Sequence, residues 1–203
     1  MRRRLLLAAT AAALAPFPGH TRTRAEVGAP APDFAVADTG GRIVRLADLA
    51  GRTVVLEWTN PECPFAGKHY ASGNMQALQA ATLAAGGAWF TVISYPPGAV
   101  GYVEPLEAEM VAEARRSRAT ATLLDPRTEL AGLYGALATP HIFLIDRTGR
   151  LVYQGGVDSI ASTKIEDIER ATPYLRNALA ALAEGRPIDP PVTRPYGCPV
   201  KVV

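Results

Sequence analysis

The sequence is short of cysteine, histidine and long apolar runs. It has two cysteines and three histidines in 203 residues. Two cysteines exclude a disulfide-rich scaffold. No apolar run approaches the roughly 18 residues that a membrane-spanning helix needs. No internal repeat interrupts the chain, so the sequence favours an ordinary globular domain.

The first 25 residues predict an export signal. Arg2, Arg3 and Arg4 precede an uncharged apolar run over residues 5–14, and Ala25 ends a plausible cleavage site. We therefore expect a periplasmic or secreted protein, exported by the general secretory route or, given the arginine pair, by twin-arginine export. An uncleaved anchor is the alternative. After cleavage we expect no stable membrane insertion.

The net charge changes sign when this segment is removed. Residues 1–25 hold five of the 21 basic residues and none of the 19 acidic ones, so the remainder carries 16 bases and a net charge of −3. Without a basic stripe, the chain gives no indication of nucleic-acid binding. We expect one domain over residues 26–185 and a Pro-rich tail over residues 186–203 that carries Cys198.

Strands alternate with helices along the domain, which predicts an α/β fold. We expect a central mixed sheet flanked by helices, with an N-terminal β-hairpin. The predicted strands cover residues 34–36, 43–46, 52–58, 88–94, 121–124, 141–145 and 150–153. The predicted helices cover residues 63–85 (interrupted near 72–74), 103–117, 126–134 and 172–183.

Cys63 follows a buried strand and stands where a helix begins. Pro64 suits the first turn of a helix, and a helix N-terminus favours the thiolate of a cysteine. The pattern predicts a reactive thiol; the alternatives are a buried structural cysteine or half of a plain disulfide. Lys68 and His69 would add positive potential, or would form a solvated helix face.

Four passages resemble the thioredoxin-like superfamily, in its redoxin (AhpC/TSA) branch. They are GAPAPDF at 28–34, VVLEW at 54–58 leading to Cys63, Thr139-Pro140, and FLIDRTGR at 143–150. The resemblance covers roughly residues 27–183 and implies a thioredoxin-like fold. It also implies a cis Thr139–Pro140 bond that faces the thiol, with the Thr139 backbone free to pair with an extended substrate.

The active-site pattern departs from both well-known types. Ala66 stands where a Cys-x-x-Cys site has its second cysteine. Asn60 and Leu56 replace the hydroxyl residue and the proline of a peroxiredoxin site. The chain looks most like a peroxiredoxin-like subgroup that keeps one active-site-type cysteine and ends in a similar tail, here RPYGCPVK at 194–201.

Cys198 has three interpretations. It is a resolving thiol for Cys63, a permanent disulfide partner of Cys63, or a cysteine that is unpaired or used between subunits. The sequence alone leaves these open.

Glu57 and the histidines complete the candidates. Glu57 is a charge at the end of a buried strand, where it would relay protons to Cys63 or face solvent. A copper or zinc site from Cys63, His69, Cys198 and His141 is a lesser alternative, because no close Cys/His spacing supports it. We expect no metal and no cofactor.

The most favoured function is an exported thiol–disulfide oxidoreductase, or redoxin-type antioxidant protein. Cys63 would attack, Cys198 would be the distal resolving or disulfide partner, and Thr139 and Pro140 would shape the substrate groove. Substrates would be protein dithiols or disulfides, or small thiols or peroxides with weak peroxidase activity; the electron donor is unidentified. The competing hypothesis is a non-catalytic binding or scaffold module locked by a Cys63–Cys198 disulfide.

Overall fold

A computed structural model describes residues 24–202. Most of the predicted export signal therefore lies outside the described residues. Among the described residues, no helix is long and apolar enough to cross a membrane.

A five-stranded mixed sheet forms the centre of the molecule, as the sequence predicts. Its strands are β3 (Val54–Trp58), β4 (Ala88–Ile93), β5 (Ala121–Leu124), β7 (His141–Ile145) and β8 (Leu151–Gly155). The spatial order is β5-β4-β3-β7-β8; β3, β4 and β5 are parallel, whereas β7 and β8 run antiparallel to their neighbours. The predicted N-terminal hairpin is β1 (Ala35–Ala37) with β2 (Ile43–Arg45).

Within residues 24–202, six α-helices and one 3₁₀ helix accompany the strands. They are the 3₁₀ helix Leu46–Leu49, α1 (Pro64–Ala71), α2 (Asn74–Ala84), α3 (Pro105–Ala114), α4 (Glu129–Tyr134), α5 (Asp167–Arg170) and α6 (Tyr174–Ala183). The expected interruption near residue 73 separates α1 from α2, because Gly73 has a φ of 79°, a backbone conformation that glycine adopts without steric cost.

The central strand β3 is buried along its whole length and supplies both faces of the sheet. Leu56 and Trp58 pack on the face covered by α4 and the hairpin. Val55 packs on the opposite face with side chains of α1, α2 and α6. Successive side chains of a strand point to opposite faces, so Glu57 lies on the same face as Val55, beneath α1.

The sequence analysis missed a second small sheet, formed by the tail. It pairs β6 (Ala138–Thr139) antiparallel with β9 (Cys198–Pro199). The tail also lies along β8, where Val192 forms a parallel bridge with Gln154. The last residues of the chain thus return to the carboxyl end of β3, where Cys63 lies.

Candidate active site

Cys63 lies at the N-cap of α1, one residue after the loop that leaves β3. Its φ and ψ are extended, Pro64 follows at the start of the helix, and the residue is 2% exposed. The predicted position at a helix N-terminus is therefore present, but the cysteine is covered rather than open to solvent.

Arg115, at the end of α3, holds the loop that precedes Cys63. Its guanidinium donates hydrogen bonds to Thr59 Oγ1 (3.0 Å), the Asn60 carbonyl (2.8 Å) and the Pro61 carbonyl (2.9 Å). The same group lies 4.8 Å from the centre of the Tyr70 ring on α1. These contacts fix the loop to the helix and so fix the position of the sulfur.

Thr139 and Pro140 lie opposite Cys63, and the bond between them is cis, as the resemblance implies. The Cys63 thiol donates to the Thr139 carbonyl across 2.9 Å. The predicted groove residues and the thiol are therefore in direct contact.

The Thr139 backbone is not free, because the tail occupies it. Thr139 pairs directly with Cys198 in the β6–β9 ladder, and its hydroxyl donates to the Cys198 carbonyl at 3.4 Å. This pairing places Cys198 beside Cys63, and both are free thiols.

The two thiols have opposite electrostatic character. Burial favours the neutral form of Cys63, but hydrogen bonding to the Cys198 thiol, the Thr139 side chain and the Ala66 backbone outweighs burial and lowers the pKa of Cys63. Burial, together with the hydrogen bond to Cys63 and the charge on Cys63, raises the pKa of Cys198 to about 11. A single thiolate shared by the pair therefore resides on Cys63.

Gly197 permits the close approach of the tail to Thr139. Its φ is 129°, and a Cβ at this position would overlap the Thr139 carbonyl oxygen and lie 3.3 Å from Cβ of Phe65. A side chain cannot occupy that space, so the docked strand requires glycine at position 197.

Lys68 and His69 hold the tail through Tyr196. We name Lys68, His69, Asp158 and Tyr196 the tail latch. The Lys68 ammonium donates to Asp158 Oδ2 (3.1 Å), the Ile160 carbonyl (3.0 Å) and the Tyr196 hydroxyl (3.0 Å), which uses all three of its protons. The Tyr196 hydroxyl in turn donates to Asp158 Oδ1.

The His69 ring completes the latch in its neutral form. Burial lowers the pKa of His69 to about 4, against the opposing effect of Asp158. The Asn74 amide donates to Nδ1 at 2.9 Å, so Nε2 carries the proton and faces the Tyr196 hydroxyl at 3.3 Å. Because Lys68 and His69 are both buried, the solvated-face alternative is wrong.

Glu57 is fully buried beneath α1, so the alternative in which it faces solvent is wrong. Its carboxylate accepts hydrogen bonds from the Tyr70 hydroxyl (2.9 Å) and the Trp89 indole (2.8 Å). Burial raises the pKa of Glu57 to about 7, although these hydrogen bonds and the Arg115 charge oppose the rise. Its hydrogen bonds lead to α1 and β4 rather than to the sulfur, and a relay to Cys63 stays a prediction.

Tyr95 is a site residue that the sequence analysis missed. It follows β4, and its buried hydroxyl has no hydrogen-bond partner of normal geometry among residues 24–202. Burial raises the pKa of Tyr95, and the charges of Cys198 and Cys63 act in the same direction, whereas the Asn60 and Thr139 side chains oppose them. The hydroxyl therefore lies within electrostatic reach of both sulfurs.

Asp158, Arg115 and Tyr196 were missed as well. Tyr196 lies inside the tail segment that carries the resemblance, but only its neighbouring cysteine was used. The local sequence around Asp158 is typical of a surface turn. Nothing in it indicates that the aspartate is buried and paired with Lys68. Arg115 sits in a run of charged residues that is typical of an exposed helix end.

The described residues give the metal alternative no support. Within residues 24–202, no group of three or more His, Cys, Asp or Glu side chains could hold a metal ion. His141 is buried against the Phe143 ring, with centroids 4.4 Å apart, and its Nδ1 accepts the Leu137 N–H at 3.2 Å.

Solved structures share this fold. An uncharacterized conserved protein from Geobacillus kaustophilus is 28% identical with a TM-score of 0.71, over 87% of this chain and 92% of that one. A hypothetical protein from Sinorhizobium meliloti is 23% identical with a TM-score of 0.72, over 88% and 95%. A proposed thiol:disulfide interchange protein DsbE from Chlorobium tepidum is 27% identical with a TM-score of 0.52, over 64% and 84%.

A search of the curated proteins found no match. The sequence does match the model of one protein family. The AhpC/TSA family matches residues 27–154, a stretch that contains the N-terminal hairpin, Cys63 and the Thr139–Pro140 bond. The fold is thioredoxin-like, and the chain belongs to the AhpC/TSA family.

Proposed function

We propose that this protein is an exported thiol–disulfide oxidoreductase whose redox pair consists of Cys63 and Cys198. The observation that carries the proposal is the pairing of Thr139 with Cys198 in the β6–β9 ladder. This pairing supplies, from the end of the chain, the second thiol that Ala66 does not supply next to Cys63.

The electrostatics of the pair support exchange chemistry. A thiolate is the form that attacks a disulfide, and a lowered pKa also makes a sulfur a better leaving group. Cys63 has the lowered pKa and Cys198 the raised one. Oxidation of the pair forms the Cys63–Cys198 bond and transfers two electrons to an acceptor disulfide, whose two sulfurs leave as thiols.

The way the tail docks argues against the locked scaffold as the competing function. Tyr196 in the latch and the pairing of Thr139 with Cys198 hold the tail by non-covalent contacts. A disulfide whose only task was to tether this tail would duplicate those contacts. A bond that forms and breaks while the tail remains docked suits catalysis better.

Peroxide reduction is a variant of the same proposal, supported by family membership. A hydroperoxide would oxidise Cys63 to a sulfenic acid, and the Cys198 thiol would condense with it to a disulfide and release water. Asn60 replaces the usual hydroxyl residue, so we expect this activity to be weak.

Substrates would be protein dithiols or disulfides, with a donor of electrons that is not yet identified.

Cysteine variants test the proposal. The wild type should catalyse exchange between a dithiol peptide and a small disulfide, and Cys63→Ser and Cys198→Ser should each reduce the rate at least about 100-fold, because each removes half of the pair. Ser94→Ala, which changes a buried hydroxyl next to Trp58 and Asp125, is the control. A wild-type rate equal to that of Cys63→Ser would refute the oxidoreductase function.

A further inference from the structure

We propose that external thiols exchange with this protein at Cys198, and that Cys63 is the leaving group and the internal nucleophile. This inference rests on the proposed function and reverses the order of attack that the sequence suggests. Cys198, on the tail strand, becomes the sulfur that carries the mixed disulfide with a partner.

Access to the two sulfurs is the first argument. Cys63 is 2% exposed, and its sulfur contacts the Thr139 carbonyl and the Cys198 thiol on the tail strand. Cys198 is half-buried on the surface-facing strand β9. A thiolate reaches the exposed sulfur of a disulfide faster than a covered one.

Occupation of the Thr139 backbone is the second argument. Thr139 pairs with Cys198 in the β6–β9 ladder. An extended partner segment therefore cannot pair with Thr139, next to Cys63, while the tail is docked.

The leaving group is the third argument. Attack at Cys198 expels Cys63, whose thiolate is disfavoured by burial but keeps the hydrogen bonds from the Thr139 side chain and the Ala66 backbone that lower its pKa. Attack at Cys63 would expel Cys198, whose pKa is raised by burial. A thiol of lower pKa leaves faster. Access and leaving-group stability therefore favour the same direction of attack.

A dithiol partner reduces the Cys63–Cys198 disulfide in two exchange steps. One partner thiolate attacks the Cys198 sulfur, forming the partner–Cys198 bond and breaking the Cys63–Cys198 bond, with the electron pair leaving on Cys63. The second partner thiolate then attacks its neighbouring sulfur and releases Cys198, which takes a proton from solvent. The partner loses two electrons and the protein disulfide gains them. An acceptor disulfide reoxidises the pair: it takes up the two electrons and is cleaved to two thiols, and the Cys63–Cys198 bond forms again.

The tail latch supports these exchange steps because it keeps the tail docked throughout. Tyr196 binds Lys68, His69 and Asp158 through its hydroxyl, two residues before Cys198. The mixed disulfide therefore stays within reach of Cys63, which resolves it internally when no second partner thiol is present.

Adduct mapping on the oxidised wild-type protein tests the inference. Intact mass first establishes the Cys63–Cys198 disulfide as a loss of two hydrogens. The protein is then mixed with reduced glutathione in a rapid-quench instrument, stopped with acid at successive times and digested, and the ratio of glutathione on the two cysteine peptides is extrapolated to zero time, before Cys63 resolves the adduct. We expect at least about ten times more glutathione on Cys198 than on Cys63, and a smaller ratio overturns the inference.

A latch variant and the disulfide itself separate the possible failures. Tyr196→Phe should shift the adduct towards Cys63 at least about threefold, because a loosened tail uncovers that sulfur; an unchanged ratio contradicts the access argument. If the disulfide forms but glutathione prefers Cys63, the inference alone fails. If no disulfide forms on oxidation, the proposed function fails with it.

Discussion

The sheet-and-helix core and the C-terminal tail are held by different forces. The core buries apolar side chains on both faces of the sheet, such as Trp58 and Trp89. The tail has almost no buried apolar side chain of its own and is held by a tyrosine in a buried charge cluster and a glycine against Thr139. Conservative substitutions in the core should therefore change stability little. In the tail, the loss of one hydroxyl or the addition of one methyl group should weaken docking.

The largest expected effect comes from substituting Asp158, the acidic residue of the tail latch, which lies in the core. Asp158→Asn leaves the Lys68 ammonium buried without its counter-ion, and losing one partner of a buried pair costs about 3–5 kcal/mol of folding stability. Urea unfolding measures this loss. The exposed pair Arg186–Glu184 gives the control, because Glu184→Gln should change stability little. Equal effects would refute the difference between buried and exposed pairs.

Glu57 should make the core less stable as the pH rises. A salt-bridged carboxylate would have the opposite effect. The folded pKa of Glu57, about 7, lies above the ordinary 4.5, so the folded state retains a proton that the unfolded state has lost. Stability contributed by the neutral carboxyl is lost as pH rises from about 4.5 to about 7.

The variant Glu57→Gln removes that pH dependence while keeping an acceptor for Tyr70 and Trp89. Relative to wild type, it should gain about 3 kcal/mol of stability between about pH 4 and about pH 8. Urea midpoints at both pH values measure the gain. The rate at which Cys63 and Cys198 form a disulfide should not change; a slowed rate would instead support a proton relay from Glu57.

Gly197→Ala should separate the tail from the core. The new Cβ would collide with the Thr139 carbonyl and would require an unfavourable positive φ, which together cost about 2.7 kcal/mol of docking free energy. Disulfide formation with oxidised glutathione should slow about 100-fold, while the thermal midpoint of the core stays the same. Gly67→Ala is the matched control, because a Cβ there meets nothing within 4 Å.

Tyr196→Phe should have the smallest effect of the four. It removes the hydroxyl that binds the latch but keeps the ring contact with Phe65, whose centroid lies 5.9 Å away. Losing these hydrogen bonds costs about 1.4 kcal/mol, so disulfide formation should slow about tenfold. Tyr102→Phe, which removes an exposed hydroxyl bound to Glu104, should leave the rate unchanged.

The sequence predicts the core well because its signals are local. The apolar run of β3, Pro64 after Cys63, and the glycine that separates α1 from α2 each act within a few residues. The resemblance adds Thr139–Pro140. The strand bounds at 88–94 and 121–124 differ from the structure by at most one residue.

The tail lies beyond such local signals. Strands β6 and β9 have two residues each, too short for any periodicity, and their pairing joins residues 59 and 61 positions apart. Asp158 and Tyr196 are polar residues in Pro-, Gly- and Ser-containing segments, and only the folded chain brings them to Lys68. Sequence patterns identify both cysteines, but not the contacts that bring them together.

The reduction potential of the wild-type protein decides whether the Cys63–Cys198 bond serves disulfide exchange or only tethers the tail. Equilibration with glutathione or dithiothreitol buffers, followed by intact mass, gives the midpoint of the Cys63–Cys198 pair. We expect a reversible midpoint between about −270 and about −120 mV, the range of catalytic disulfides. A midpoint below about −300 mV, typical of structural disulfides, or the absence of this disulfide under any buffer, would contradict it.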